Sequence, residues 1–213
     1  MNLQIFGRLV CFSCSWILFS TLQPNFNSAN IALAQSVISL DSELTNLSDR
    51  EQVNLNCGEV VLKGQRGKYL AQVIATGNPD TAWSVLTDYD NFERFLPNIT
   101  SSKIISEDGD RVVFEQTNVV DLWLFQEEFT VQIAANKFKP SKVDFQLSDG
   151  ELKKLIGRWQ IEEISPGKIL ISHAVEVEPG SNTEKPFFYG IYESSLEETL
   201  KAIAIEITKR SQN

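Results

Sequence analysis

A chain of 213 residues with 42% hydrophobic and 10% aromatic content can bury one medium-sized core. Its formal charge of -9 repels nucleic acid and anionic lipid at long range, so nucleic acid is excluded as a main partner. There is one histidine, and two of the three cysteines, Cys11 and Cys14, lie in the N-terminal segment; the rest of the chain has one His, one Cys and no cluster at metal-ligand spacing, so neither a metal nor an internal disulfide is expected.

The N-terminus reads as a targeting segment. Arg8 is its only charge, Leu9 to Leu22 is an apolar run, and Ala32-Leu33-Ala34 supplies a small-x-small cleavage site. The run falls short of the roughly 20 residues that cross a bilayer. Residues 1–34 are therefore expected to be a signal peptide, with an uncleaved membrane tether as the alternative. Cleavage would place an exported domain in the periplasm, or in the thylakoid lumen if the source is photosynthetic. It would remove Arg8 and no acid, leaving a net charge of -10, and would leave Cys57 as the single cysteine. Residues 35–58 form a polar extension. Within it Ser48-Asp49-Arg50-Glu51 is a capping box, which predicts a short helix through about Asn56 ended by Gly58.

The domain proper is expected over residues 59–213. A first strand starts at Glu59-Val60-Val61-Leu62, and Gly64-Gln65-Arg66-Gly67 reads as a turn or bulge. Tyr69, Ala71, Val73 and Ala75 then alternate with their neighbours until Gly77-Asn78-Pro79 stops the strand. Pro79 suits the first turn of a helix, whose apolar side is Ala82, Trp83, Val85 and Leu86. Asp88 is placed to cap a second short helix carrying Phe92, Phe95 and Leu96, and Pro97 ends it.

Strand patterns follow closely. Lys103–Glu107 and Arg111–Thr117 flank a hairpin turn at Asp108-Gly109-Asp110. Phe129, Val131 and Ile133 share one face of the next strand, and Val143, Phe145 and Leu147 share one face of the strand after it. Leu155, Trp159 and Ile161 follow, with Gly157 allowing a bend. Ile169, Ile171, His173, Val175 and Val177 line the last strand. The period then changes: Tyr189, Tyr192, Leu196, Leu200, Ile203 and Ile207 make one stripe of a long helix. Burying that stripe is worth roughly 10 kcal/mol gross, and only the concave side of the sheet is large enough to receive it.

The stretch Ala82-Trp83-Ser84-Val85-Leu86-Thr87-Asp88-Tyr89-Asp90-Asn91-Phe92-Glu93-Arg94-Phe95-Leu96-Pro97, with Gly157-Arg158-Trp159 and the helix Leu196 to Ile207, resembles the START-like superfamily. The match is to its polyketide cyclase/dehydrase and coenzyme Q-binding branch, over about residues 59–210. The resemblance implies an α+β helix-grip fold: a curved antiparallel sheet of six to seven strands wrapped around a long C-terminal helix, with two short helices after strand one. It also implies a tunnel for a lipid, quinone or polyketide-like molecule. The positions expected to face that tunnel are Phe114, Phe129, Phe145, Trp159, His173, Tyr192 and Leu196. Trp83 and Phe92 are expected to pack rather than touch a ligand.

The sequence offers no catalytic set. There is no nucleophile motif and no glycine-rich phosphate loop, and no cofactor is expected. Glu127 and Glu128 are adjacent on a strand and point to opposite faces, so they cannot act as a pair. Glu115, Glu127 or Arg158 are candidates for interior polar handles on a ligand headgroup. Leu122, Trp123, Leu124 and Phe125 interrupt the alternation, either as strand continuing through the core or as an apolar lid that touches membrane. The expectation is an exported, monomeric carrier of an apolar small molecule with transient membrane contact. The alternatives are a cyclase- or dehydrase-like enzyme using His173 and an interior acid, or a membrane-linked interaction protein.

Overall fold

The computed structural model describes residues 47–122, 125–181 and 185–212. The expected signal peptide and the first half of the polar extension, residues 35–46, lie outside the described residues. Around the turn between the fourth and fifth strands, only backbone pairing is described for residues 120–122 and 125–127. In chain order the elements are α1 (Asp49–Asn56), β1 (Val61–Gln65), β2 (Lys68–Thr76), α2 (Pro79–Leu86), a 3-10 turn (Tyr89–Arg94), β3 (Ile99–Asp108), β4 (Arg111–Leu122), β5 (Phe125–Phe138), β6 (Lys142–Gly150), β7 (Lys154–Ser165), β8 (Lys168–Glu178) and α3 (Lys185–Ser211).

The local signals explain these boundaries. Ser48 and Glu51 close the expected capping box: the Ser48 N–H donates to Glu51 Oε2 at 2.7 Å, and the Glu51 N–H donates to Ser48 Oγ at 3.4 Å. Asn78 caps α2 through the Thr81 N–H, with Pro79 in the first turn. Asp88 differs from expectation, because it makes no capping bond to the 3-10 turn. Its carboxylate instead accepts from the Asn91 amide at 2.7 Å and pairs with Arg210 at 2.8 Å. The C-terminal end of α3 thereby holds this turn in place.

All the strands join one antiparallel sheet in the order β1-β2-β8-β7-β6-β5-β4-β3. The count is eight described strands rather than six or seven. Residues 61–76 make two strands because Arg66 and Gly67 both adopt positive φ, 54° and 89°, which folds the chain back as a tight hairpin instead of a bulge. Glycine is suited to that backbone region and arginine is not, so the turn rests on Gly67.

The inner face carries Tyr69, Ala71, Val73, Ala75, Val112, Ile133, Ile161, Ile169, Ile171 and Val175, all buried in one core with Leu196, Leu200, Ile203 and Ile207 of α3. Two contacts fix where the helix lies. A Cβ on Gly67 would meet the Tyr189 ring at 3.0 Å, and a Cβ on Gly77 would meet Ile207 at 2.9 Å and Ser211 at 2.5 Å. The strand from Gly67 to Gly77 spans about 33 Å, and the helix from Tyr189 to Ser211 spans about 33 Å as well. α3 therefore runs along β2, and the small residues Ala71 and Ala75 let it sit close. The helix fills that side of the grip and leaves the β4–β7 side to be filled by other means.

The outer face is polar with short buried stretches. α1 leans on β1 and β2, with Leu55 buried and Glu51 paired to Lys63 at 3.1 Å. Among the described residues no helix is long and apolar enough to cross a membrane.

Candidate functional site: a cavity between the sheet and α3

Strand alternation and the stripe of α3 converge on one hollow of about 190 Å³. Its wall is drawn from β4 to β8, from α2 and the 3-10 turn, from Leu96 and Pro97 with Ile99 at the start of β3, and from one side of α3. Among the described residues no member of β1 or β2 lines it, as follows from α3 lying along β2. Phe114, Phe129, Phe145, Trp159, His173, Tyr192 and Leu196 all line this hollow. Phe92 lines it too, whereas Trp83 is buried in the packed core and is not part of the wall.

His173 is the best-defined polar group. It sits opposite Trp159 in the β7–β8 ladder, and their rings stack with centroids 3.7 Å apart. Phe145 stacks on the imidazole at 5.4 Å with only 9° between the planes. Gly157 makes room for this arrangement, because a Cβ there would meet Phe145 Cζ at 2.5 Å. His173 is 5% exposed, and its Nδ1 has no hydrogen-bond partner among the described residues. Burial pushes its pKa down to about 3, so the ring is neutral at physiological pH.

Further polar groups, absent from the expected set, also line the wall: Tyr89, Gln116, Asn118, Ser195 and Thr199. Gln116 donates to Asn118 Oδ1 at 2.9 Å. The Tyr89 ring stacks on Phe114 at 4.5 Å, and its hydroxyl has no hydrogen-bond partner among the described residues. Burial pushes the hydroxyls of Tyr89 and Tyr192 above the ordinary phenol range, so both stay protonated. Gln116 and Asn118 share a strand face with Phe114, so alternation alone could have found them. Ser195 and Thr199 flank Leu196 on the helix.

The expected interior handles Glu115 and Arg158 are not in the cavity. Glu115 faces outward, where it pairs with Lys103 at 2.9 Å and accepts from Gln132 at 3.1 Å. Arg158 is buried on the outer face and donates from Nε to Asp144 Oδ1 at 2.6 Å. Pairing fixes the position of both: the charges lie in register across neighbouring strands, so each finds its partner outside the core. The side chains of Glu127, Leu122, Trp123, Leu124 and Phe125 lie outside what is described. Among the described residues no three His, Cys, Asp or Glu side chains cluster as a metal site.

A cavity lined this way can enclose an apolar molecule and offer it a few uncharged hydrogen-bonding groups. An apolar cavity of about 150 Å³ accepts benzene, and drug-sized sites run to about 300–1,000 Å³, so the hollow suits a small ring system or short chain. A shallow outer groove of about 400 Å³ runs along Glu93 to Pro97 and Glu198 to Ile205. It shares Leu96 and Pro97 with the cavity, which makes these two residues the partition between inside and outside.

Comparison with known proteins places this architecture. The chain is similar to the protein TTHA0849 from Thermus thermophilus, with TM-score 0.57 and 10% identity over 67% of this chain and 95% of that one. It is similar to the Zhui aromatase/cyclase from Streptomyces sp. R1128, with TM-score 0.56 and 14% identity over 66% and 93% of the two chains. A STAR-related lipid transfer protein from Xanthomonas axonopodis gives TM-score 0.57 and 13% identity over 70% and 92%. At these identities the likeness shows the helix-grip fold. No curated protein matches the chain. The model of one family, described as polyketide cyclase / dehydrase and lipid transport, matches residues 77–203, which include the 3-10 turn, every described residue of the cavity wall and most of α3; the chain belongs to that START-like family.

Proposed function

We propose that this protein holds an apolar small molecule between the sheet and α3, as a carrier or sensor rather than an enzyme. The observation that carries the reading is the hollow itself: a largely apolar wall built from six strands and one side of the long helix, in a fold that could have packed solid there. The family's description as polyketide cyclase / dehydrase and lipid transport supports an apolar cargo. The cyclase- or dehydrase-like alternative uses His173 and an interior acid as its acid/base groups. A ring whose pKa is pushed down to about 3 is a weak base at neutral pH, which favours holding over chemistry.

Native mass spectrometry of the purified protein tests this directly. A retained small-molecule mass, or thermal stabilisation by members of a lipid and quinone panel, is the expected result. No retained mass and no shift from any compound would remove the reading. The pattern of residues 1–34 supports export. A mature N-terminus at Gln35 in the cell-envelope fraction is expected, and an intact chain in the cytoplasmic fraction would refute it. The apolar run Leu122 to Phe125 supports transient membrane contact during loading. Vesicle binding that survives Trp123→Ala unchanged would count against it.

A further inference from the structure

The chemistry of the wall narrows the ligand, given the reading that the cavity holds one. Among the described residues the wall contains no Lys, Arg, Asp or Glu. The charges on the sheet nearby, Arg158 with Asp144 and Lys103 with Glu115, are paired with one another on the outer face. An ion entering the hollow would lose its water and find no counter-charge among the described residues, which is strongly unfavourable. A buried hydrogen-bonding group without a partner is also costly, and among the described residues the wall side chains carry two, the Tyr89 hydroxyl and His173 Nδ1.

We propose that the cavity selects an uncharged ligand of about one aromatic ring with a short apolar tail, bearing a hydroxyl or similar group that bonds the His173 imidazole. Size sets the ring count, since an apolar cavity of about 150 Å³ takes benzene and this one holds about 190 Å³. Trp159, Phe145, Phe114 and Phe129 line the hollow, and a wall this rich in aromatic rings favours an aromatic guest. A neutral imidazole donates from one nitrogen and accepts at the other, and a hydroxyl complements either. Burial keeps the ring neutral, so it offers no positive charge to a carboxylate. A fatty acid would have to leave its headgroup at the mouth.

The test uses two probes of matched shape, 4-propylphenol and 4-propylbenzoate, titrated calorimetrically at pH 7.5 into the purified chain and into a His173→Phe variant checked for folding by circular dichroism. The phenol is expected to bind the wild type at least about 100-fold more tightly than the benzoate, and to lose about 3- to 10-fold in the variant. Binding of the two probes within about tenfold of each other would overturn the selection against charge. Equal phenol affinity in wild type and variant would overturn the role of the imidazole. If neither probe binds, while a larger lipid or quinone shifts the melting temperature, the size and headgroup assignment fails but the holding reading stands. If nothing binds, both fail.

Discussion

The buried imidazole of His173 makes a quantitative claim about stability and pH. In the folded protein its pKa is pushed down to about 3 by burial, against an ordinary value of 6.5. Between those values the unfolded chain takes up a proton that the folded chain refuses, so falling pH favours unfolding. The contribution is absent above pH 6.5 and grows as pH falls toward 3. At pH 5 the unfolded form gains about 1.5 pH units of proton binding, which is about 2 kcal/mol. For a domain of this size that lowers the melting temperature by about 4–8 °C relative to pH 7.5. The paired carboxylates do not confuse the window. Glu51, Glu115 and Glu178 have lowered pKa values, so their stabilisation is lost only below about pH 4.5. Urea unfolding at pH steps from 5.0 to 7.5 measures the slope, and His173→Phe removes the titrating group while keeping a ring in the stack. The variant should show a nearly flat profile where the wild type slopes. Because His173 is the chain's only histidine, its imidazole resonance should also stay unshifted down to pH 5 in the folded protein. Parallel slopes for the two proteins, or an imidazole that titrates near its ordinary value, would refute the sealed, neutral ring.

Other substitutions test other parts of the frame. Gly157→Val forces a side chain into the Phe145 ring and should cost about 1–3 kcal/mol in chemical denaturation. Asp144→Ala strands the buried Arg158 guanidinium and should cost about 3 kcal/mol, most of it recovered in the Asp144→Ala/Arg158→Met double variant. Leu96→Ala thins the partition between cavity and outer groove. It should speed exchange of a bound fluorescent ligand in stopped-flow measurements, with a smaller change in affinity than in rate.

Much of the frame is legible in the sequence because strand alternation and the helical stripe are physical periods. Phe114, Phe129, Phe145, Trp159 and His173 reach one hollow because each occupies the inward phase of its strand. Tyr192 and Leu196 meet them because four residues make about one helical turn. Register is the part a single sequence does not carry. Arg158 is one residue out of phase with Trp159 and so faces outward, and its partner Asp144 is identified only once β6 and β7 are aligned. The stacking of Trp159 on His173 likewise depends on which residues of β7 and β8 sit opposite one another. The hairpin at Arg66-Gly67 is ambiguous in the sequence, because the same residues suit a kink in one strand and a reversal between two. Asp88 reads as a cap from its position, but Arg210 at the far end of the chain supplies a charged partner for its carboxylate instead.

The strand order has a consequence for how the chain assembles. β2 pairs on one side with β1, but its other partner is β8, and the bond between Gln72 and Ser172 joins residues 100 apart in sequence. β3 to β8 can form as successive hairpins, each closing a short loop. The β2 edge must wait for the last strand to be synthesised, and α3 must then close over it. Such distant pairing slows folding and leaves a sticky edge waiting, so a nascent chain depends on being kept apart from its neighbours until β8 and α3 have emerged.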